Sequence, residues 1–181
     1  AQLPFEFRVV NDHSAELRVE KQIIPLSLGQ WSPVIEVRFK MGFLVSVHAL
    51  ARLVITQLEP HVQFYVMPLQ IHPLHPMWRY GTSSSFVKDA WKSSGPFLTL
   101  GWPQDTTGLE DSCINDEQFL ALCDFIFERR FHLLMHLLDS FNEGLLASVF
   151  DSLDRIQHMF WRDHLEVIER WYRRLDGLVG E

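Results

Sequence analysis

A change of hydrophobic period near residue 115 divides this chain into two parts that must fold differently. From Phe5 to about Ile71, apolar and polar residues alternate, as in Phe5-Glu6-Phe7, and this predicts β-strands with one buried face. From Asn115 onward the apolar residues recur every three or four positions, which predicts helices. The pattern therefore predicts an α+β chain in which an antiparallel β-rich lobe of roughly five to seven strands precedes a helical part.

Residues 73–114 join these two parts and are rich in Pro, Gly, Ser and Trp. We expect one short helix there, from Ser85 to Ser93. Long irregular segments with many aromatic residues usually pack against the fold and often shape a site. The sequence thus predicts a β-rich lobe over 1–72, a connector over 73–114 and a third part over 115–181.

The third part reads as helix, strand and helix. The first helix is expected to begin after an N-cap at Asn115 or Asp116 and to run to Phe141, and the second to cover roughly 161–178. Between them, residues 144–150 form a short apolar run that predicts a buried strand. This order predicts part of an α/β core. Because one strand cannot form a sheet, and because the chain lacks an N-terminal Met, we expect it to be an internal piece of a longer protein.

Composition excludes several classes of protein. Apolar residues make up 47% and charged residues 22% of the 181 residues, which is ordinary for a globular chain. Residues 110–181 hold 15 acidic and 7 basic residues, so we expect no nucleic-acid partner. No apolar run reaches the roughly 20 residues of a membrane span. The two cysteines do not form a disulfide framework, which favours a cytoplasmic protein. The oligomeric state is not defined by the sequence.

Asp154 and His158 are the candidate metal ligands. They follow the predicted strand and are four residues apart, so on a helix both side chains leave the same face. A carboxylate oxygen and a neutral imidazole nitrogen can bind one divalent cation at about 2.0–2.2 Å, although catalytic zinc takes about three protein ligands. In the alternative interpretation the segment is structural: Asp151 or Ser152 caps the helix, Asp154 stabilises its first turn and His158 is a spacer.

The strings around this pair resemble a known family. FDSLDRIQHMFWR at 150–162 and WYRRLDGLVG at 171–180 are similar to the central segment of the type I phosphodiesterase/nucleotide pyrophosphatase-like phosphohydrolases and phosphomutases, members of the alkaline phosphatase superfamily. Residues 3–7, 31–33 and 37–40 resemble the β-rich insertion of that group, and 95–101 resemble its connector. The resemblance implies that 115–181 belong to an alkaline phosphatase-like α/β core.

The resemblance also implies an activity. In such enzymes a Thr or Ser oxygen attacks phosphorus while two divalent cations, zinc or manganese, stabilise the attacking and leaving oxygens. Carried over, Asp154 and His158 bind one of the two ions, and the substrate is a small phosphate ester. The family's nucleophile and its other ligands match nothing in this chain, so the resemblance implies a phosphohydrolase parent protein and a chain that is inactive alone. The pairs Asp12-His13 and Asp163-His164 do not fit the family pattern.

A second function class stays open beside the enzyme. The β-rich lobe could recognise a ligand or a partner in a non-catalytic binding module, and Asp154 and His158 would then be structural only. Among the other histidines, His72 and His75 flank prolines and are expected on a loop surface. His132 and His136 lie on an acidic amphipathic helix and are expected to face solvent.

Overall fold

A computed structural model of the chain describes residues 2–43, 45–79, 81–100 and 103–180, in which eight strands are followed by five helices. The predicted α+β fold class is confirmed. The strands are β1 Phe5–Asn11, β2 Ser14–Val19, β3 Gln22–Ser27, β4 Ile35–Met41, β5 Val45–Ala51, β6 Leu53–Gln57, β7 Gln63–Val66 and β8 Gln70–Ile71. The helices are α1 Ser84–Ser94, α2 Thr106–Glu110, α3 Asp116–Ser140, α4 Ser152–Phe160 and α5 Leu165–Gly180.

The strands form three small antiparallel sheets, ordered β1-β2-β3, β4-β5-β8 and β6-β7. Alternation decides which face of each strand is buried. In β2, for example, Leu17 and Val19 are buried while Arg18 between them is exposed. The inner faces of the sheets share one apolar core, composed of Ala15, Leu17, Val19, Ile24, Leu26, Ile35, Val37, Ala49, Ala51, Leu53, Ile55 and Leu58.

A second core lies among the helices. It contains Ile114, Phe119, Cys123, Phe127, Ile156, Phe160, Val167, Ile168 and Trp171, together with one strand residue, Val54 of β6. Leu53 and Ile55, the neighbours of Val54, belong to the core of the sheets. Because successive side chains of a strand point to opposite faces, β6 lies between the two cores and contributes side chains to both.

The long helix α3 begins where its capping residues predict. Asn115 is the N-cap: its side chain accepts a hydrogen bond from the backbone N–H of Gln118, and the Gln118 side chain accepts one from the N–H of Asn115. This reciprocal arrangement satisfies two donors that a helix start otherwise leaves unpaired. The apolar face expected between Phe119 and Phe141 is buried only in its first half, where Phe119, Leu122 and Cys123 are fully buried, whereas Leu138 and Phe141 are exposed.

Contacts of Trp31 and Arg52 help to attach the β-rich lobe to α3. The indole nitrogen of Trp31 donates to the backbone carbonyl of Gln118 at 2.7 Å. The buried Arg52 side chain donates from Nε to the carbonyl of Ser32 at 2.9 Å, and its guanidinium carbon lies 4.2 Å from the centre of the Phe125 ring. A cation over an aromatic face is attracted by the ring's quadrupole, so Arg52 joins the two parts of the fold.

The predicted strand over 144–150 is wrong. These residues are irregular, and Leu145 is 91% exposed. Phe150 packs inward, with its ring centre 5.3 Å from that of Phe127. A short apolar run does not reveal whether a neighbouring strand is present to pair with it, and in the described residues every strand lies between 5 and 71. The inference that this run needs sheet neighbours elsewhere loses its basis, and the alkaline phosphatase-like core stays a prediction.

Other boundaries differ in smaller ways. The helix expected over 161–178 is present as α5, which begins only at Leu165, and a turn at 161–164 separates it from α4. The helix expected from Ser85 to Ser93 is present as α1, whereas α2 inside the connector was not predicted. The division into 1–72, 73–114 and 115–181 stays a prediction as a description of domains. Among the described residues no helix combines the length and apolar character needed to cross a membrane. A cytoplasmic location stays a prediction.

The position of β6 between the two cores can be tested by measuring the contribution of Val54 to stability. Val54→Ala removes two methyl groups that are fully buried against the helices, so we expect the free energy of unfolding to fall by about 2 kcal/mol. Val10→Ala makes the same chemical change at an exposed strand position and should cost less than about 0.5 kcal/mol. Urea unfolding followed by far-UV circular dichroism measures both. Equal losses in the two variants would contradict the role of Val54 between the cores.

Candidate functional site

Helix α4 determines where the predicted metal ligands lie. Ser152, Ile156 and Phe160 are buried, and their spacing of four makes one face of the helix apolar. Asp154 and His158 fall on the other side, with 53% and 67% of their side chains exposed. Because the apolar face packs inward, Asp154 and His158 lie in solvent, where a ligand can reach both side chains.

The two candidate ligands lie close together, as their spacing predicts. Asp154 Oδ1 is 3.5 Å from His158 Nε2. The other carboxylate oxygen of Asp154, Oδ2, is 2.9 Å from a guanidinium nitrogen of Arg155. The expectation that the pair directly follows a buried strand is wrong, because the residues before α4 are irregular and extended strands end at Ile71 in the described chain. The role of the pair as metal ligands stays a prediction.

The donor atoms fit half of a metal site. Two ligand atoms that share a tetrahedral ion at about 2.0–2.2 Å are separated by about 3.4 Å, close to the separation found here. Within residues 2–43, 45–79, 81–100 and 103–180, however, no group of three or more His, Cys, Asp or Glu side chains is placed to hold a metal ion. The pair could thus chelate an ion only if further ligands come from water, substrate or other protein groups.

A polar network holds the start of α4. Asp151 is in the N-cap position but makes no side-chain cap hydrogen bond. Its Oδ1 instead accepts from Gln104 Nε2 at 2.6 Å, and its two oxygens accept from the two terminal nitrogens of Arg130. Gln104 Nε2 also lies 3.1 Å from Ser152 Oγ. The connector, α3 and α4 therefore meet at Asp151, one helical turn before Asp154.

The remaining histidines only partly follow the expectations. His72 is 1% exposed and its Nε2 lies 3.1 Å from Glu36 Oε2, so its predicted place on a loop surface is wrong. Because β8 pairs with β5, the His72 side chain is buried inside the fold. His132 is exposed as expected. His136 is half-buried and bonds to Asp89 of α1 at 2.7 Å, so it does not simply face solvent.

The structure also gathers three histidines that the sequence did not group. The rings of His48, His72 and His75 lie side by side at the edge of the β4-β5-β8 sheet. The close spacing of His72 and His75 is visible in the sequence. His48 joins them only through the pairing of β5 with β8, which no local pattern indicates.

Comparison of the chain with protein-family models, with curated proteins and with solved structures finds no match. Membership of the alkaline phosphatase superfamily therefore stays a prediction that depends on the strings at 150–162 and 171–180. What the chain does has to be argued from its own side chains.

The network at Asp151 makes a second test possible. Asp151→Ala leaves Arg130 without its two-oxygen acceptor and removes an acceptor from buried Gln104, so we expect the free energy of unfolding to fall by about 2 kcal/mol. Asp163→Ala deletes an exposed carboxylate just before α5 and should change the same quantity by less than about 0.5 kcal/mol. Chemical unfolding of both variants decides the matter. If the two variants unfold alike, Asp151 does not hold α4 in place.

Proposed function

We propose that this chain contributes the metal-binding pair Asp154 and His158 to an enzyme that hydrolyses or transfers phosphoryl groups, of the alkaline phosphatase type. The observation that carries the proposal is the separation of 3.5 Å between Asp154 Oδ1 and His158 Nε2 on an open helix face. That face lies within the string at 150–162 that resembles the family. The proposed substrate is a small phosphate ester.

Each residue has a definite task in this proposal. Asp154 supplies an anionic oxygen, and His158 supplies a neutral nitrogen when its proton is on Nδ1. Bound divalent ions, zinc or manganese, neutralise charge on phosphoryl oxygens and lower the pKa of a coordinated nucleophile. Asp154 and His158 are two ligands of one such ion. The further ligands and the Thr or Ser nucleophile belong, in this proposal, to other parts of a longer protein.

The network at Asp151 has a supporting task. A metal site needs its ligands held in a narrow range of directions, and partners behind the ligands usually provide this. Arg130 and Gln104 donate hydrogen bonds to the Asp151 carboxylate and thereby fix the first turn of α4, which carries Asp154. Packing of Ile156 and Phe160 prevents rotation of the helix about its axis. The face that carries the pair is therefore oriented by contacts outside the pair itself.

A non-catalytic binding module is the second candidate, and one observation favours it. Asp154 lies in the first turn of α4 and His158 in the last, where an acidic and a basic side chain respectively favour a helix. The ion pair of Asp154 with Arg155 adds a further structural partner. In this function the pair serves the helix, and recognition belongs to the β-rich lobe.

Substitution of the pair separates the two candidates. In the longer protein that the proposal implies, Asp154→Asn and His158→Ala should each lower phosphatase and phosphodiesterase rates on nitrophenyl esters by roughly 100-fold or more at limiting zinc or manganese, because each deletes a ligand of the same ion. Added metal should restore part of the rate. The chain of 181 residues alone should hydrolyse neither ester.

The matched control is the pair Asp163→Asn with His164→Ala. It changes an adjacent, exposed Asp-His pair at the start of α5 and should leave the rates and their metal dependence unchanged. Wild-type rates in both Asp154→Asn and His158→Ala at limiting metal would establish the structural role and remove the enzyme proposal.

A further inference from the structure

Three imidazole rings are packed together at one edge of the β4-β5-β8 sheet. The ring centres of His48 and His75 are 4.6 Å apart, those of His72 and His75 4.9 Å, and those of His48 and His72 6.2 Å. The rings of His48 and His75 are tilted by 35°. Neutral imidazoles can bind a metal ion through a ring nitrogen, so a group of this kind is a candidate site.

Backbone pairing builds this group. Ala49 of β5 is opposite Ile71 of β8, and the N–H of His72 then donates to the carbonyl of His48 at 3.3 Å. The N–H of His75 donates to the carbonyl of His72 at 3.1 Å, which turns the chain back toward β5. The sheet and one turn therefore bring the backbone of the three histidines together.

His72 is a support rather than a ligand. Its Nδ1 accepts from the N–H of Leu74 at 3.2 Å, which leaves the proton on Nε2 to be donated to Glu36 Oε2 at 3.1 Å. The ring also stacks on Trp91, with 5.4 Å between centres. Both nitrogens of this buried ring are thus in use, and the stacked ring positions its neighbour His75.

His48 and His75 remain available to a ligand. Within the described residues neither of their rings makes a hydrogen bond, and both border an open depression of about 780 Å³. Glu20, Glu36 and Arg38 also line it. Burial, followed by the nearby charges of His75 and His72, lowers the pKa of His48 below its usual range.

The spacing of the two rings suits one shared ion. At a metal–nitrogen distance of about 2.1 Å, the centres of two imidazoles on a tetrahedral or square ion are about 4.5–5.2 Å apart. The 4.6 Å between His48 and His75 lies in this range. We propose that His48 and His75 bind a divalent transition-metal ion of the imidazole-preferring class, with Cu²⁺ first and Ni²⁺ second, and with water in the other positions. Since no third protein ligand converges in the described residues, the two imidazoles alone define the site.

Titration of the 181-residue chain with Cu²⁺ at pH 7, with glycine as a competing chelator, tests this site. Electron paramagnetic resonance should show one copper with two imidazole nitrogens. His75→Ala, at an exposed position, should reduce the affinity by about tenfold or more and leave one nitrogen in the spectrum. His48→Gln keeps the approximate size of the side chain and should act in the same way. Acidification should weaken binding, because protons compete with the metal ion for the same nitrogens.

Two controls assign the result to these residues. His132→Ala removes an exposed histidine of α3 and should change neither the affinity nor the spectrum. The double variant Asp154→Asn with His158→Ala should also retain the copper site, which separates this site from the proposed phosphoryl chemistry. A two-nitrogen spectrum that survives removal of both His48 and His75 would overturn the proposal, as would a wild-type spectrum with a single nitrogen. Circular dichroism confirms that each variant is folded.

Discussion

Burial of β6 on both faces is the constraint on which the rest of this structure depends. Leu53 and Ile55 enter the core of the sheets while Val54 enters the core of the helices. A strand of this kind cannot show the alternation of its neighbours, and the sequence is apolar at all three positions. Both cores contain side chains of this one strand. Native packing of either core therefore fixes the backbone position of β6, which the other core also requires.

The orientation of Asp154 and His158 on α4 depends on β6 through a short series of contacts. Trp31, which forms a backbone bridge with Val54, donates to the start of α3, and Arg52 at the edge of β6 lies over Phe125 farther along that helix. Burial and the charge of Arg129 lower the pKa of Arg52 only to about 10, so it stays a cation at neutral pH. Farther along α3, Arg130 holds Asp151 and with it the first turn of α4. The site's orientation is therefore a property of the whole fold.

What the sequence predicted correctly is local. The N-cap at Asn115 and the closeness of Asp154 and His158 both follow from the geometry of a single helical turn. What it predicted wrongly depends on partners distant in the chain. The run 144–150 has the composition of a buried strand, but composition does not supply a neighbour. His72 was expected at the surface because a loop between prolines is usually solvated, whereas pairing of β8 with β5 buries it.

The two candidate metal sites also differ in this respect: a single helical turn forms one, and pairing of distant strands forms the other. Asp154 and His158 offer a carboxylate and an imidazole on one helical turn, a donor set that zinc and manganese accept and that needs ligands from elsewhere. His48 and His75 offer two imidazoles, which favour copper and nickel, and they meet only when β5 and β8 are paired. An ion bound there would stabilise the folded state over the unfolded chain, since the unfolded chain does not bring these rings together. An ion held by the α4 pair would depend on the β-rich lobe only indirectly, through the contacts by which Trp31 and Arg52 join that lobe to α3. Metal binding at the histidine pair would thus be linked to the folding of the sheets, and metal binding at α4 would be linked to the polar network around Asp151.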